Sequence, residues 1–357
     1  MSKSNVNSTL HQPPPIDSSC APIEHTLSLT PFLPIRVVTE DHDCFTNTYP
    51  SWLPPQGRSL WGGILIGAAI SAAQQTVGPN FFIHHMSCTF RAAPDAAKPL
   101  YYRVARTSDR RCSATREVKV EQSGVVFFSA ECGFSLVAKD ASAAVTHQAS
   151  PPLRLKGQVV EAPPAPKVAD GNEKAFTEQI VSPGFLTWKG ANTTKEDVDP
   201  FIWRDYPPVR ESTGTLSTSG SNVLYSWVRS RGNMSDSQAN HLAVLGCLSD
   251  AWVLLRLPEM MKTPSAALGG GLKNGDTNNS IPFMTTLNHT IWFHNPQNVR
   301  LDDWLLVRKS SSWVGQGRCL VEQQFWDRQG ILVATCVQEG AVMRKQPRVE
   351  KSGQSKI

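Results

Sequence analysis

The sequence lacks the short motifs that identify the commonest hydrolases and nucleotide-dependent enzymes. It has no G-x-S-x-G segment, so a serine hydrolase of the α/β type would have no nucleophile elbow. It has no G-x-G-x-x-G segment and no P-loop, so neither a dinucleotide nor a nucleoside triphosphate is indicated. No histidine spacing suits a metal ion, and we expect neither a metal nor another cofactor.

Paired cysteines and concentrated charge are also missing. The eight cysteines form no C-x-x-C pair and most lie in apolar runs, which predicts reduced core thiols in a reducing compartment. A covalent cysteine nucleophile stays open as an alternative, and the sequence favours no single thiol. The net charge of +5 is spread along the chain, so we expect no nucleic-acid partner. We also expect no membrane span and no signal peptide, because long apolar runs are absent.

The sequence does contain two blocks with the same order of elements, a helix followed by four strand-like runs. The first predicted helix, residues 62–75, consists mostly of small and apolar residues. The second, residues 235–257, begins with Ser235 and Gln238 as an S-x-x-Q capping box and stops at Pro258. The strand-like runs cover residues 81–90, 100–106, 114–122 and 125–137 in the first block, and 281–294, 304–310, 318–326 and 331–342 in the second.

A helix followed by a meander of long antiparallel strands, present twice, predicts an α+β duplication. A long central helix wrapped by such a sheet is the hot-dog arrangement, so we expect a double hot-dog fold. Composition sets the boundaries. We predict a disordered leader at residues 1–30, an N-terminal hot-dog domain at 31–138, a Pro/Ala-rich linker at 139–175, a C-terminal hot-dog domain at 176–345 and a tail at 346–357.

Three polar residues of the second block lie in apolar surroundings. Asp250 is in an almost wholly apolar helix, where burial would raise the pKa of its carboxyl group as a general base requires. The structural alternative is that Asp250 pairs with Arg256 or caps a loop. Thr286 and Gln338 lie on apolar strands; taken singly, such residues are usually structural or solvated.

Laying one block over the other provides an internal control. The overlay places Thr286 on Ile83 and Gln338 on Cys132, and the first helix contains no Asp or Glu. Polar groups that folding required should be present in both copies. Because these are confined to the second, we expect a catalytic site there and a degenerate, non-catalytic first copy.

Several motifs resemble those of a known family. Residues 45–52 look like fungal members, and the others are residues 57–63 (GRSLWGG), 84–91, 248–250, 287–294 (LNHTIWFH) and 337–344 (VQEGAVMR). Together they resemble the acyl-CoA thioesterase II family, the bacterial thioesterase B and peroxisomal thioesterase type, which has a double hot-dog fold. The resemblance covers residues 45–343.

The resemblance implies a hydrolase that cleaves fatty or other acyl-CoA to free acid and CoA. In that family an Asp, a Ser or Thr, and a Gln hold and activate the hydrolytic water. By motif these fall on Asp250, Thr286 and Gln338, with Asp250 as general base and no acyl-enzyme. Two positions depart from the pattern: Asn288 stands where the family often has Asp, and Ala68 where it often has Gln. Neither departure removes one of the three residues, but both are expected to affect which substrates are accepted and how fast they are cleaved.

Two other functions stay open. A hot-dog hydratase or dehydratase acting on enoyl-CoA would pair an Asp with a His, which His289 or His241 would have to supply. An acyl-CoA-binding or specialised secondary-metabolism protein would keep the fold without hydrolysis.

The last three residues predict a subcellular location. Ser355-Lys356-Ile357 differs from the peroxisomal signal Ser-Lys-Leu only in its last residue. We therefore expect a peroxisomal import receptor as partner, with a cytosolic fraction because Ile branches differently from Leu. The family resemblance further implies a homodimer or homotetramer.

Overall fold

The computed structural model describes residues 35–38, 41–48, 60–136, 145–155, 158–161, 200–210, 222–231, 234–261 and 283–343. The predicted leader (1–30), the predicted tail (346–357), most of the predicted linker and Cys20 lie outside these residues.

A single antiparallel sheet of 13 strands runs through both halves of the chain. The first half contributes β1 (Ile35–Val38), β2 (Asp41–Asn47), β3 (Phe81–Phe90), β4 (Tyr101–Asp109), β5 (Ser113–Gln122) and β6 (Val125–Leu136), with helix α1 (Gly62–Gln74). A small separate hairpin, β7 (Arg154–Leu155) and β8 (Gln158–Val159), follows. The second half contributes β9 (Phe201–Asp205), β10 (Val209–Arg210), β11 (Asn222–Ser230), helix α2 (Gln238–Ser249), helix α3 (Leu257–Met260), β12 (Phe283–Phe293), β13 (Leu305–Gly315), β14 (Arg318–Trp326) and β15 (Leu332–Met343).

The two halves of the sheet have the same strand order when read outward from the centre. The first half runs β3-β6-β5-β4 and the second runs β12-β15-β14-β13. The halves join where β3 pairs antiparallel with β12, from Thr89 opposite Asn288 to His85 opposite Trp292. All eight predicted strands are present, and the predicted α+β duplication is confirmed.

The second helix is shorter than predicted, and its predicted cap is wrong. The N-cap of α2 is Ser237, which makes no side-chain capping hydrogen bond. Gln238 instead donates to the carbonyl oxygens of Pro296 and Val299, at 2.7 and 3.1 Å. Because the Gln238 side chain leaves the helix to anchor a neighbouring loop, the S-x-x-Q pattern does not form a capping box here.

The helix also ends earlier than expected, at Ser249. Trp252 adopts a φ of +57°, a left-handed conformation that a continuing helix does not allow. A 3₁₀ turn at Leu254–Arg256 and then α3 follow, so Pro258 lies in the first turn of a new helix rather than at the end of the old one. Apolar composition continues through the break, which is why the sequence pattern did not reveal it.

The segment Gln238–Met260 is nonetheless long and apolar enough to cross a membrane by length and composition alone, with a mean hydropathy of 1.2. The expectation that no apolar run is this long was therefore wrong. Inside the protein, 83% of that window is buried. Such burial is typical of the core helix of a globular protein.

Helices α1 and α2 pack directly on each other through glycines. A Cβ on Gly63 would lie 2.6 Å from the carbonyl oxygen of Cys247, and one on Gly246 would lie 2.4 Å from Cδ1 of Ile70. Neither distance is compatible with ordinary packing. The absence of these two side chains is therefore what allows the helices to approach so closely.

The described part of the predicted linker is docked on the second half. The side chain of Gln148 donates to the carbonyl oxygen of Gly330 at 2.8 Å and accepts from the N–H of Leu332 at 3.1 Å. The Trp326 indole N–H donates to the carbonyl oxygen of Ala149 at 2.8 Å. This segment is therefore held against the second repeat and does not act there as a free spacer.

The cysteines are placed largely as predicted. Among the described residues all seven thiols are free, and six of them are buried. Cys112 is the exception and is exposed.

The close helix contact predicts that Gly63→Ala destabilises the protein by about 1–3 kcal/mol, because the new methyl group would meet a backbone carbonyl that has little freedom to move. Urea unfolding measures the difference. Gly78→Ala is the matched control, since a Cβ there would be 3.7 Å from Phe81, an ordinary contact. Equal stability of the two variants would contradict this account of the helix contact.

Candidate active site

Asp250 lies where α2 ends against the beginning of α1. It is the C-cap residue of α2 and is buried, with 8% of the residue exposed. A Cβ on Gly62, at the start of α1, would lie 2.9 Å from its Oδ2. The proposed structural partner Arg256 bonds elsewhere, to Asp205 at 3.1 Å and to Glu259 at 2.9 Å. The carboxylate of Asp250 is therefore not part of that ion pair.

The three residues singled out from the sequence meet in one hydrogen-bonded ring. Thr286 Oγ1 donates to Asp250 Oδ1 at 3.0 Å. Gln338 Nε2 donates to the same oxygen at 2.8 Å and to Thr286 Oγ1 at 2.7 Å. One N–H of Gln338 and the hydroxyl hydrogen of Thr286 thus converge on the carboxylate, and the second N–H of Gln338 goes to the Thr286 oxygen. This arrangement is suited to holding a charged or proton-accepting group.

The first repeat supplies two more donors, which reasoning from the sequence missed. The backbone N–H of Gly63 and the indole N–H of Trp61 are both hydrogen-bonded to Asp250. Trp61 also stacks on Trp252, with ring centroids 6.0 Å apart and planes 5° from parallel. The site thus lies between the repeats. The GRSLWGG motif was a signal for these donors, but nothing in the sequence placed it beside Asp250.

Burial raises the pKa of Asp250 from 3.8 to about 6. The hydrogen bonds from Thr286, Gln338, Gly63 and Trp61 oppose that shift, because each stabilises the ionised carboxylate. The resulting pKa is close enough to neutrality for Asp250 to be ionised at pH 7 and still accept a proton during a reaction.

A β-bulge turns Thr286 into the site. His289 is buried, whereas Asn288 and Trp292 face outward, as alternation along β12 requires. An unbroken strand would give Thr286 the outward direction of Asn288. The register with β15 shifts between Thr286 and Asn288, which leaves Leu287 as the extra residue and reverses the direction.

The first repeat has the same bulge without the polar groups. The register of β3 shifts between Ile83 and His85, and Ile83 is buried at the position corresponding to Thr286. Beyond the bulge Met86 pairs with Cys132, just as His289 pairs with Gln338 in the second repeat. The strand registers therefore agree with the overlay made from the sequence. They also identify His289 as a fourth polar residue that the first copy lacks.

In the first repeat, Arg116 lies next to Cys132, the counterpart of Gln338. It is opposite Cys132 in the sheet, is 1% exposed, and binds both the hydroxyl and the carbonyl oxygen of Thr76. A hydrogen bond of 2.6 Å to Asp109 completes its pairing. A fully paired guanidinium thus fills the region where the second repeat has Val321 opposite Gln338.

The two histidines considered for a hydratase do not form the required pair with Asp250. Nδ1 of His241 accepts from the N–H of Leu301 at 3.2 Å, near the opposite end of α2. Nε2 of His289 lies 2.9 Å from Ser249 Oγ. Neither is among the groups hydrogen-bonded to Asp250 in the described part of the chain. The described residues also contain no group of three or more His, Cys, Asp or Glu that could hold a metal ion.

Comparison with known proteins shows the family of the chain. Residues 49–135 match the family model of the acyl-CoA thioesterase N-terminal domain, and residues 166–342 match that of the C-terminal domain. Acyl-coenzyme A thioesterase 8 of Rattus norvegicus is 30% identical over 306 residues, covering 84% of this chain and 85% of the relative. The chain belongs to the acyl-CoA thioesterase family.

The thioesterase is also similar to more distant relatives and to solved structures. Acyl-CoA thioesterase 2 of Haemophilus influenzae is 26% identical over 289 residues, which are 80% of this chain and 88% of that one. The crystal structure of acyl-CoA thioesterase II TesB2 from Mycobacterium marinum has a TM-score of 0.60 at 22% identity, covering 89% of this chain and 99% of that chain. A protein with a hot-dog fold from Alicyclobacillus acidocaldarius also gives 0.60. The double hot-dog fold predicted for the thioesterase is thereby confirmed.

The raised pKa predicts the pH dependence of the thioesterase. If Asp250 accepts a proton from water, kcat/KM rises with pH and reaches a plateau above about 6, where the carboxylate is ionised. Steady-state rates between pH 4.5 and 8 measure this profile.

Stability provides a second readout of the same group. Between pH 3.8 and about 6 the folded protein holds a proton on Asp250 that the unfolded chain has released. The free energy of unfolding therefore falls as pH rises through that window, by at most about 3 kcal/mol. In Asp250→Asn this contribution to the slope is absent. An identical slope in the variant would contradict the assignment.

The bulge predicts that Thr286 and its neighbour Thr285 differ in their effect on kcat. Thr286→Val removes the hydroxyl without changing the size of the side chain, and we expect kcat to fall about 10²-fold or more. Thr285→Val is the matched control, because Thr285 is exposed on the other face of β12. Assays of both variants at saturating substrate make the comparison. A similar loss in both, or in neither, would contradict the proposed orientation.

Proposed function

We propose that Asp250, Thr286 and Gln338 are the catalytic residues with which this thioester hydrolase cleaves acyl-CoA to free acid and CoA. The observation that supports the assignment is the ring of hydrogen bonds on one buried carboxylate. Asp250 is the general base, and Thr286 and Gln338 hold the water. No side chain becomes acylated in this mechanism.

Counting donors and acceptors indicates how water enters. A carboxylate has about four lone-pair positions, and Asp250 already accepts from Thr286, Gln338, Gly63 and Trp61. Gln338 uses both N–H groups within the ring. A bound water must therefore replace at least one of these contacts. We propose that the ring opens when water binds, so that the freed donor holds the water oxygen while the water donates to Asp250.

The chemistry then needs one proton to move twice. Asp250 takes a proton from the water as its oxygen attacks the thioester carbonyl. The tetrahedral intermediate expels the CoA sulfur, and the proton on Asp250 passes to that sulfur, which leaves as the free thiol. A carboxyl group with a pKa of about 6 can perform both transfers near neutral pH.

The beginning of α1 is suited to stabilise the negative oxygen of the intermediate. Helix N-termini present unpaired backbone N–H groups and a partial positive charge. Because Gly62 and Gly63 have no side chains, the backbone at the start of α1 is accessible beside Asp250. We propose that the first repeat, although non-catalytic in its own strands, contributes oxyanion donors to the site of the second. The three proposed catalytic side chains would then lie in the C-terminal domain, with backbone donors from the degenerate N-terminal domain.

Hydrolysis is tested by incubating purified protein with acyl-CoAs of increasing chain length and measuring free thiol. Asp250→Asn should lower kcat at least about 10²-fold with little change in KM, because it removes a group that acts in the transition state. Asp236→Asn, the same substitution at a side chain that is 96% exposed, is the control.

The same assay tests the alternatives. Loss of enoyl absorbance without thiol release would indicate a hydratase, and tight acyl-CoA binding without turnover would indicate a binding protein. Full activity of Asp250→Asn would disprove the assignment of the base.

We further propose a role in peroxisomal lipid metabolism, based on Ser355-Lys356-Ile357 and its recognition by an import receptor. These residues lie outside the described part of the chain. A fluorescent protein fused to the N-terminus should co-localise with peroxisomes and lose that localisation when the tripeptide is deleted. A diffuse signal that the deletion does not change would contradict the proposal.

Assembly as a homodimer or homotetramer stays a prediction. The pairing of β3 with β12 already joins two hot-dog repeats within one chain. Light scattering would give the oligomeric state.

A further inference from the structure

Helix α1 begins at a residue whose side chain cannot cap it. Trp61 is in the N-cap position, and its side chain makes no capping hydrogen bond. The usual residues at this position accept a hydrogen bond from a backbone N–H of the first turn, whereas an indole carries only a donor. The N–H of Gly63, in that first turn, is hydrogen-bonded to Asp250 of the second repeat instead. The carboxylate therefore accepts from the helix where a cap residue would.

Gly63 also allows the indole to lie against the same turn. A Cβ on Gly63 would lie 2.8 Å from both Cε2 and Cζ2 of Trp61, which is too close for a real side chain. Cε2 is the ring carbon bonded to the indole nitrogen. The N–H edge of the indole thus lies over Gly63, and its N–H is hydrogen-bonded to Asp250 as well. One backbone donor and one side-chain donor of the first repeat therefore reach the carboxylate from the same turn.

Two aromatic neighbours hold the indole in this place. Trp252 stacks on Trp61 with ring centroids 6.0 Å apart and planes 5° from parallel, and Phe201 packs edge-on at 6.3 Å. Trp252 has a left-handed φ of +57°, which is disfavoured for a bulky residue. Such a conformation persists where the surrounding contacts fix it, and it is frequent at functional sites. The Trp61 ring is thus enclosed between the two repeats.

The donors of the first repeat are independent of the ring of hydrogen bonds. Thr286 and Gln338 bind each other as well as the carboxylate, and they are the groups proposed to hold the water. When water opens the ring, the carboxylate loses part of its support from the second repeat. Gly63 and Trp61 then keep it in place, and Trp61 is the one of these two that donates from a side chain.

We propose that Trp61 is a positioning residue, which donates from the first repeat to the carboxylate of Asp250 and is itself held by its stack on Trp252. It keeps the general base oriented while the ring opens for water. The inference rests on the proposed role of Asp250 as general base. In the sequence, Trp61 was part of the GRSLWGG motif and had no role of its own.

The test is Trp61→Phe, which keeps an aromatic ring for the stack and removes the N–H. Loss of a donor to the ionised carboxylate raises the pKa of Asp250, by about one unit for a bond of typical strength. We therefore expect the midpoint of the kcat/KM profile to move about one unit toward higher pH. On the plateau kcat should fall about 3- to 10-fold, with KM within about twofold. Trp313→Phe, at a residue that is 44% exposed, is the matched control.

Neighbouring titratable groups do not obscure this midpoint. The thiols of Cys88, Cys247 and Cys336 lie near Asp250, and the imidazole of His289 lies 3.3 Å from the last of these thiols. Burial raises the pKa of each thiol and lowers that of His289 to about 4. Helix α1 contributes no charged side chain. Between pH 5 and 8 these neighbours are neutral, so a shifted midpoint reports Asp250.

Stability provides a readout that does not depend on activity. With a higher pKa the folded protein holds the proton on Asp250 to higher pH. The free energy of unfolding in Trp61→Phe should therefore keep falling over about one further pH unit, whereas a packing defect would lower it equally at every pH. Urea unfolding between pH 5 and 8 measures this. In an Asp250→Asn background Trp61→Phe should leave the slope unchanged, because the titrating group is absent.

Two further variants complete the test. Trp252→Ala removes the stack and leaves the donor, so the midpoint should shift in the same direction by less than in Trp61→Phe. If Trp61→Phe does not fold, 3-benzothienylalanine in place of Trp61 carries the same expectation, because it has the shape of tryptophan with sulfur instead of the N–H.

An unchanged midpoint in Trp61→Phe, or an equal shift in Trp313→Phe, would overturn the inference. An unchanged midpoint in Trp252→Ala would overturn the role of the stack. If instead Asp250→Asn retained full activity, the proposed general base would fail, whatever the result with Trp61→Phe. The two failures are therefore distinguishable.

Discussion

The arrangement of this thioesterase depends on the burial of one carboxylate, that of Asp250, at the contact between two repeats. Desolvation alone would make the ionised form unfavourable, and it raises the pKa to about 6. Relative to 3.8, this is about 3 kcal/mol of difference between the two protonation states. Four donors keep the shift from being larger, and they come from both halves of the chain. The close packing of α1 on α2 therefore affects the pKa of Asp250 as well as the fold.

Duplication explains how one repeat could acquire this site without loss of the fold. Both repeats have the bulge that turns a side chain of the central strand inward, as Ile83 in one and Thr286 in the other. In the first repeat the inward positions are apolar, and Arg116 is fully paired nearby. The backbone thus has the same geometry in both copies, whereas the three polar side chains proposed for catalysis are present in one. In the proposed mechanism the first repeat contributes the N-terminus of its helix instead.

The parts of this account that depend on local pattern could be predicted from the sequence. Strand-like runs predicted the eight long strands. Asp250, Thr286 and Gln338 were singled out because they lie in apolar surroundings and are confined to the second block. The end of α2 could not be predicted, because the apolar composition continues past the turn at Trp252. The donors from Trp61 and Gly63 depend on the long-range packing of α1 on α2, which has no local signature.

The most direct test of the central claim is a single turnover in ¹⁸O-labelled water with enzyme in excess of acyl-CoA, followed by mass spectrometry. If Asp250 activates water as a general base, the label appears in the carboxylate of the released acid, and the peptide that contains Asp250 stays unlabelled. If Asp250 attacked the thioester itself, the resulting anhydride would be opened by water. Attack at the Asp250 carbonyl would then put label in that peptide and an unlabelled oxygen in the acid. Label in the Asp250 peptide after one turnover would contradict the account.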